Sequence, residues 1–176
     1  SSFDKIVTTS TFLDAQVAKI LSGRKSIIVA NPSDNIDKVH SIQKDIVSTV
    51  PPEILIVGMI NRNKGQRNVV RWISHLKQEF DDFRFVLAGR GQLALTLARE
   101  ADEAGVAAHL HLPGFLDREE IYRYYARATI VVAPNIWPEP FGRVALEAAI
   151  SSKPVVAYDL GGPRETIING ITGVLV

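Results

Sequence analysis

The chain has 176 residues, a formal net charge of +1, 46% hydrophobic and 22% charged residues, and no cysteine. This is the balance of a globular protein with enough apolar side chains for a proper core. It excludes disulfides and thiolate metal sites, offers no basic excess for nucleic acid, and contains no apolar run near the ~20 residues that a membrane span requires.

The first fifty residues read as "FDKIVTTS" (3–10), a strand, then "TFLDAQVAKIL", a helix, then "KSIIVAN" (25–31), another strand. Residues 31–53 are polar, with Ile36, Val39, Ile42 and Ile46 at helical spacing, and the helix is expected to end at Pro51-Pro52. This segment is read as a connector, so residues 1–52 are taken as the end of a preceding domain plus a linker, and 53–176 as one domain. The chain starts without an initiator methionine and stops inside the apolar run "TGVLV". The expectation is a piece of a longer protein, cut short at its C-terminal side.

From Glu53 onward, apolar strands alternate with amphipathic helices. The strands fall at 54–58, 83–89, 109–114, 129–134, 154–159 and 173–176. The helices fall at 66–80, around 92–104, 117–128, after Pro140 and near 163–168. In the first of these, Val69, Val70, Ile73, Leu76 and Phe80 are expected to face inward, Asp117 is read as an N-cap, and Pro163 sits at a first helical position. Strands this uniformly apolar are buried on both faces, which predicts a doubly wound α/β domain with a parallel sheet. His109 and His111 are placed on one face of the third strand, and too few further ligands lie nearby to expect a metal.

In such sheets, ligands bind beyond the carboxyl ends of the strands, where the strand order reverses. With the common order 3-2-1-4-5-6, the loops after strands 1 and 4 should meet. The first, "GMINRNKGQ" (58–66), carries Arg62 and Lys64 between glycines; the second, "PNIWPEPFGRVALEA" (134–148), leads into a helix start. Two cations, a glycine-flanked turn and a helix N-terminus make a cradle for a pyrophosphate. The plain alternative is a solvated turn. Glu147 lies among small and apolar neighbours, so partial burial is expected, and a sugar diol could satisfy its carboxylate. Glu139 stands between Pro138 and Pro140 on a stiff backbone, either as a surface acid or as a carboxylate held at the mouth of the crevice. Gly89-x-Gly91-x-x-Ala94 has the form of a dinucleotide fingerprint. It follows the second strand rather than the first, and Pro113-Gly114 stands where an acidic residue is wanted. The turn "DLGGPRE" (159–165) is either structural or a second close backbone approach to a ligand.

The motifs "NPSD" (31–34), "VG…NKG" (57–65), "VLAGRG" (86–91), "LPGFLDREEIYRYYARATIVVAPN" (112–135), "EPFGRVALEA" (139–148) and "KPVVAYDLGGPRETIINGITGVLV" (153–176) occur in this order. Together they resemble the C-terminal, nucleotide-binding domain of GT-B glycosyltransferases, the large retaining group called family 4. Glu139 and Glu147 match that family's Glu-x7-Glu signature, and the match is strong over about the last 120 residues. The resemblance implies a Rossmann-like donor domain that binds a nucleoside-diphosphate sugar, with no metal or other cofactor. By it, Lys64 contacts the pyrophosphate, Glu147 the ribose hydroxyls, and Glu139 the donor sugar near the reacting carbon. Phe141, Gly142, Arg143 and Val144 line sugar and phosphate through their amides, the peptide at Phe115-Leu116 meets the base edge, and Gly89 and Gly91 permit close approach. Met59 stands where the family commonly has an arginine, and Arg62 is the candidate to replace that charge. The implied partners are a glycan, lipid-linked or small-molecule acceptor and the chain's own N-terminal domain. The implied location is cytoplasmic, with peripheral attachment at the cytoplasmic membrane face as an alternative. A sugar-nucleotide epimerase and a non-catalytic binding module on the same fold are the competing readings.

Overall fold

The computed structural model describes residues 6–20, 26–30, 34–46 and 51–176. Asn31 to Ser33 of the "NPSD" motif, and the beginning of the first expected strand, lie outside them. Eight strands and seven α-helices form among the described residues. The first two strands, β1 (Val7–Thr8) and β2 (Ile27–Ile28), pair in parallel across α1 (Thr11–Ile20), a helix that buries none of its residues. Val7, Ile27, Ile28 and Val29 stay exposed on this small sheet.

The main sheet is built from β3 (Glu53–Val57), β4 (Arg84–Ala88), β5 (Leu110–Gly114), β6 (Ile130–Ala133), β7 (Val155–Ala157) and β8 (Gly173–Leu175). Its order is β5-β4-β3-β6-β7-β8, with every pairing parallel. That is the expected 3-2-1-4-5-6, with the reversal between β3 and β6. Successive side chains of a strand point to opposite faces, and the two cores divide accordingly. Leu55, Val86 and Val131 pack with Tyr122, Tyr125 and Ala148 on one side. Ile56, Phe85 and Leu87 pack with Val69, Ile73 and Leu97 on the other. Leu55 and Ile56 are each only 1% exposed, and such burial stabilises the fold by about 2 kcal/mol per side chain.

Five further helices and one short turn of helix complete the layers: α2 (Ile36–Gln43), α3 (Val69–Leu76), α4 (Ala94–Glu103), α5 (Arg118–Arg127), α6 (Arg143–Ile150) and the four-residue α7 (Pro163–Thr166). Asp117 caps α5 as expected and forms a capping box with Glu120. The polar segment read as a connector is built into this layer. Its helix α2, capped by the Asn35 side chain on Lys38 N–H, places Val39 in the core at 2% exposure. Gln43 Nε2 donates to Tyr122 O at 3.1 Å and to Ser151 Oγ at 2.9 Å. With those bonds made, α2 ends at Gln43, short of Pro51-Pro52.

Two local expectations differ from the structure. The helix read over 66–80 is a 3-10 turn at Gln66–Asn68 followed by α3, which stops at Leu76. Phe80 is therefore 56% exposed, and Phe83 takes the core position beyond the turn, at 7%. The histidine pair also does not share one face, because β5 starts only at Leu110 and leaves His109 in a 3-10 turn. His109 Nδ1 donates to Phe83 O at 2.9 Å and its ring stacks on Phe83, whereas His111 Nε2 lies 3.2 Å from Tyr124 Oη.

Candidate functional site

The loops after β3 and β6 meet, and the contact is between backbones. The Asn61 side chain accepts N–H bonds from Asn63 and Lys64 at 3.1 and 3.2 Å, which rolls Arg62–Lys64 into a 3-10 turn. Gly65 ends that turn in the left-handed region at φ 73°, so close to the other loop that a Cβ there would stand 1.8 Å from Pro134 O. Ile136 N–H donates to Asn63 O at 3.2 Å. This seam brings Lys64 Nζ to 3.4 Å from Glu139 Oε2, with the two side chains 20% and 16% exposed. Asn135 Nδ2 donates to the same carboxylate oxygen, and Lys64 Nζ sits 5.6 Å from the centre of the Trp137 ring.

Glu139 is fixed from behind as well as by its flanking prolines. Its carbonyl accepts the Gly162 N–H at 2.7 Å, so the Gly161-Gly162 turn lies directly against it. The neighbouring Pro140 carbonyl accepts a hydrogen bond from the Ser10 hydroxyl. Thr11 and Phe12, at the start of α1, donate their N–H groups to the Glu165 carboxylate at 3.0 and 2.8 Å. Burial works to raise the Glu165 pKa, but the bonds from Thr11 and Phe12 outweigh it and hold the group below its ordinary value.

Past Glu139, Phe141 is half-buried and Gly142, at φ 84°, opens α6 without a side-chain cap. Arg143 and Val144 form its first turn, whose N–H groups favour an outside acceptor. One turn further along, Glu147 is 19% exposed, so the expected partial burial is found. Tyr125 Oη donates to its Oε2 at 2.9 Å and Arg143 lies 3.3 Å from its Oε1. Burial, then the Glu147 charge, push the fully buried Tyr125 phenol well above its usual pKa, so it is a fixed proton donor.

Glu147 also closes one side of a cavity of about 550 Å3 at the carboxyl ends of β3, β4 and β5. Gly58, Met59, Gly89, Phe115 and Leu116 line it, together with Asp34 and Arg90. A Cβ on Gly89 would lie 1.9 Å from Gly58 O, and one on Gly91 2.2 Å from Ile60 O. The two glycines therefore let the loop after β4 lie on the loop after β3, which accounts for their spacing. A larger cavity, about 900 Å3, lies between α3 and β6–β7, lined by groups such as Trp72, Val132 and Tyr158; it holds none of the predicted site residues. No group of three or more His, Cys, Asp or Glu able to hold a metal occurs among the described residues.

The structure thus gathers Gly89, Phe115, Leu116 and Glu147 around one cavity and Lys64 with Glu139 at the adjoining crevice, with the α6 start beside them. Arg62 is exposed, lies outside the cavity and makes no side-chain hydrogen bond or ion pair among the described residues. Tyr125, Asn135 and Ser10 were not singled out from the sequence. The signal for Tyr125 was available: Tyr122 and Tyr125 sit three apart on the buried face of a helix, and a buried hydroxyl needs a partner.

Residues 38–176 match the family described as Glycosyl transferases group 1. Among curated relatives, a glycogen synthase of Mycobacterium tuberculosis is 35% identical over 126 residues, covering 72% of this chain and 30% of its own length. The chain thus spans about a third of the curated relatives it matches. Among solved structures, a glycosyltransferase from Rickettsia africae superposes with a TM-score of 0.80 at 25% identity, over 98% of this chain and 48% of that one. An Anabaena protein crystallised with UDP and glucose shares the fold, with a TM-score of 0.75 at 23% identity over 98% and 49% of the two chains.

Proposed function

The chain belongs to the group 1 glycosyl transferases, and on that premise we propose that it is the donor-binding half of a GT-B enzyme that transfers a sugar from a nucleoside diphosphate to an acceptor. The observation that carries this reading is the Lys64–Glu139 pair, 3.4 Å apart and mostly buried at the β3/β6 reversal, where an α/β sheet of this order takes its ligand. The nucleoside lies in the 550 Å3 cavity, with Glu147 accepting from the ribose hydroxyls and Tyr125 holding that carboxylate in place. Phe115 and Leu116 border the base, and the diphosphate lies between Lys64 and the amides of Phe141 to Val144. As the sugar leaves, charge builds on the terminal phosphate, and Lys64 with the α6 N-terminus offsets it without having to reorganise. A single cation that starts on Glu139 must exchange that partner for phosphate, so donor binding frees the Glu139 carboxylate to face the sugar.

The catalytic domain proper starts at residue 53 and draws α2 into its core, with residues 1–52 leading from an N-terminal domain that supplies the acceptor site. The acceptor is a glycan, a lipid-linked group or a small molecule. No helix among the described residues is long and apolar enough to cross a membrane, and the reading places the enzyme in the cytoplasm. The test is calorimetry of this chain with UDP, GDP and ADP. At least one should bind, and Glu147→Gln should weaken that binding roughly tenfold, as expected when a buried hydrogen-bond acceptor of full charge is lost. No binding by any of the three would overturn the donor-site reading; binding unaffected by Glu147→Gln would overturn the ribose assignment.

A further inference from the structure

Arg90 is flanked by the two glycines that seat the loop after β4, and its carbonyl accepts the Ile60 N–H at 3.0 Å, so its backbone is pinned. Its side chain is exposed, lines the 550 Å3 cavity and lies over the Phe115 ring, 5.2 Å from the centre. Phe115 is itself 69% exposed at the end of β5. Among the described residues the Arg90 guanidinium has no carboxylate partner and no hydrogen bond, so all its N–H groups are free. Lys64 and Glu139 mark the crevice between β3 and β6, whereas β4 and β5 lie on the far side of β3. Arg90 thus occupies the end of the cavity away from the phosphate cradle.

A guanidinium carries five donors and no acceptor. We propose that Arg90, steadied on Phe115, is the specificity-determining residue for the nucleobase and selects a base that presents a ring carbonyl, uracil or guanine, over adenine. A carbonyl accepts from the free N–H groups. At the place of that carbonyl adenine presents its exocyclic amine, donors to donors, and only its ring nitrogens remain to accept, so the guanidinium pairs less well with adenine. This rests on the donor-site reading above and adds the class of donor to it. It also leaves the charge missing at Met59 unreplaced by Arg90, because Arg90 points to the base end.

The test is calorimetry with UDP, GDP and ADP on the unaltered chain, Arg90→Gln and Phe115→Ala. The unaltered chain should bind UDP or GDP about tenfold or more tightly than ADP, with the better of the two naming the base. Arg90→Gln should remove most of that preference while changing ADP affinity less than about twofold, and Phe115→Ala should reduce it in part. Equal losses for all three nucleotides would show Arg90 acting on the diphosphate, and unchanged affinities or a preference for ADP would equally overturn the proposal. Failure of every nucleotide to bind the unaltered chain would instead bring down the donor-site reading on which the proposal stands.

Discussion

Replacing Gly65 by alanine tests whether the seam between the two crossover loops builds the site. Two costs can be separated. An alanine at φ 73° pays about 1 kcal/mol for the left-handed conformation. Its Cβ would also stand 1.8 Å from Pro134 O, a backbone atom, and restoring the 3.0 Å floor of real contacts pushes the loops apart by about 1.2 Å. That separation breaks the Ile136 N–H bond to Asn63 O, worth about 1 kcal/mol, and stretches the Lys64–Glu139 pair beyond 4 Å. Gly105 supplies the control, since it sits at φ 67° with nothing within 4 Å of its would-be Cβ. Urea denaturation should give a loss of about 1 kcal/mol for Gly105→Ala and about 2–3 kcal/mol for Gly65→Ala. Nucleotide affinity should be unchanged in the first and about tenfold weaker in the second. Equal destabilisation by both variants, or an intact affinity in Gly65→Ala, would refute the idea that this backbone contact sets the Lys64–Glu139 geometry.

Tyr125→Phe should cost about 1–2 kcal/mol in stability, because Glu147 keeps its burial and loses its hydroxyl donor, and should also weaken nucleotide binding; denaturation and calorimetry check the two separately. Val39→Ala should destabilise the 53–176 domain by about 2 kcal/mol in urea titration if α2 belongs to its core, and by almost nothing if α2 is a mere connector. Because the Glu165 pKa is lowered in the folded chain, its bonds stabilise the contact with α1 above the ordinary carboxylate range and lose that effect as pH falls through the lowered value. The amide proton shifts of Thr11 and Phe12 should therefore titrate with a midpoint below the ordinary 4.5; a midpoint at or above it would contradict the assignment.

The strand order, and with it the meeting of residues 58–66 with 134–148, was legible because apolar runs alternating with helical periods admit few topologies. The partial burial of Glu147 was legible from its small and apolar neighbours. What local pattern does not carry is the identity of partners distant in sequence. Nothing around Tyr125 says that its hydroxyl meets a carboxylate 22 residues away, and nothing around Ser10 names Pro140, 130 residues on. Phe80 was misread because helical periodicity was continued past the point where the chain turns, and Phe83 from beyond the turn filled the space. Gly89 and Gly91 had the look of a nucleotide fingerprint because close backbone approach demands glycine whether the neighbour is a ligand or another loop.

The attachment of α1 has a consequence for local stability. A helix with no fully buried residue is tied to the main domain, among the described residues, by directed bonds at its front edge, from Ser10, Thr11 and Phe12, while Asp14 accepts from the Ser26 hydroxyl beside β2; a segment with so few buried contacts opens easily. Among the described elements, α1 should therefore open well before the six-stranded sheet yields, and hydrogen exchange along it should report an opening energy far below that of global unfolding. Because Ser10 holds the carbonyl next to Glu139, each such excursion also releases one side of the loop after β6. A thinly packed helix start is thereby joined to the loop that carries Glu139.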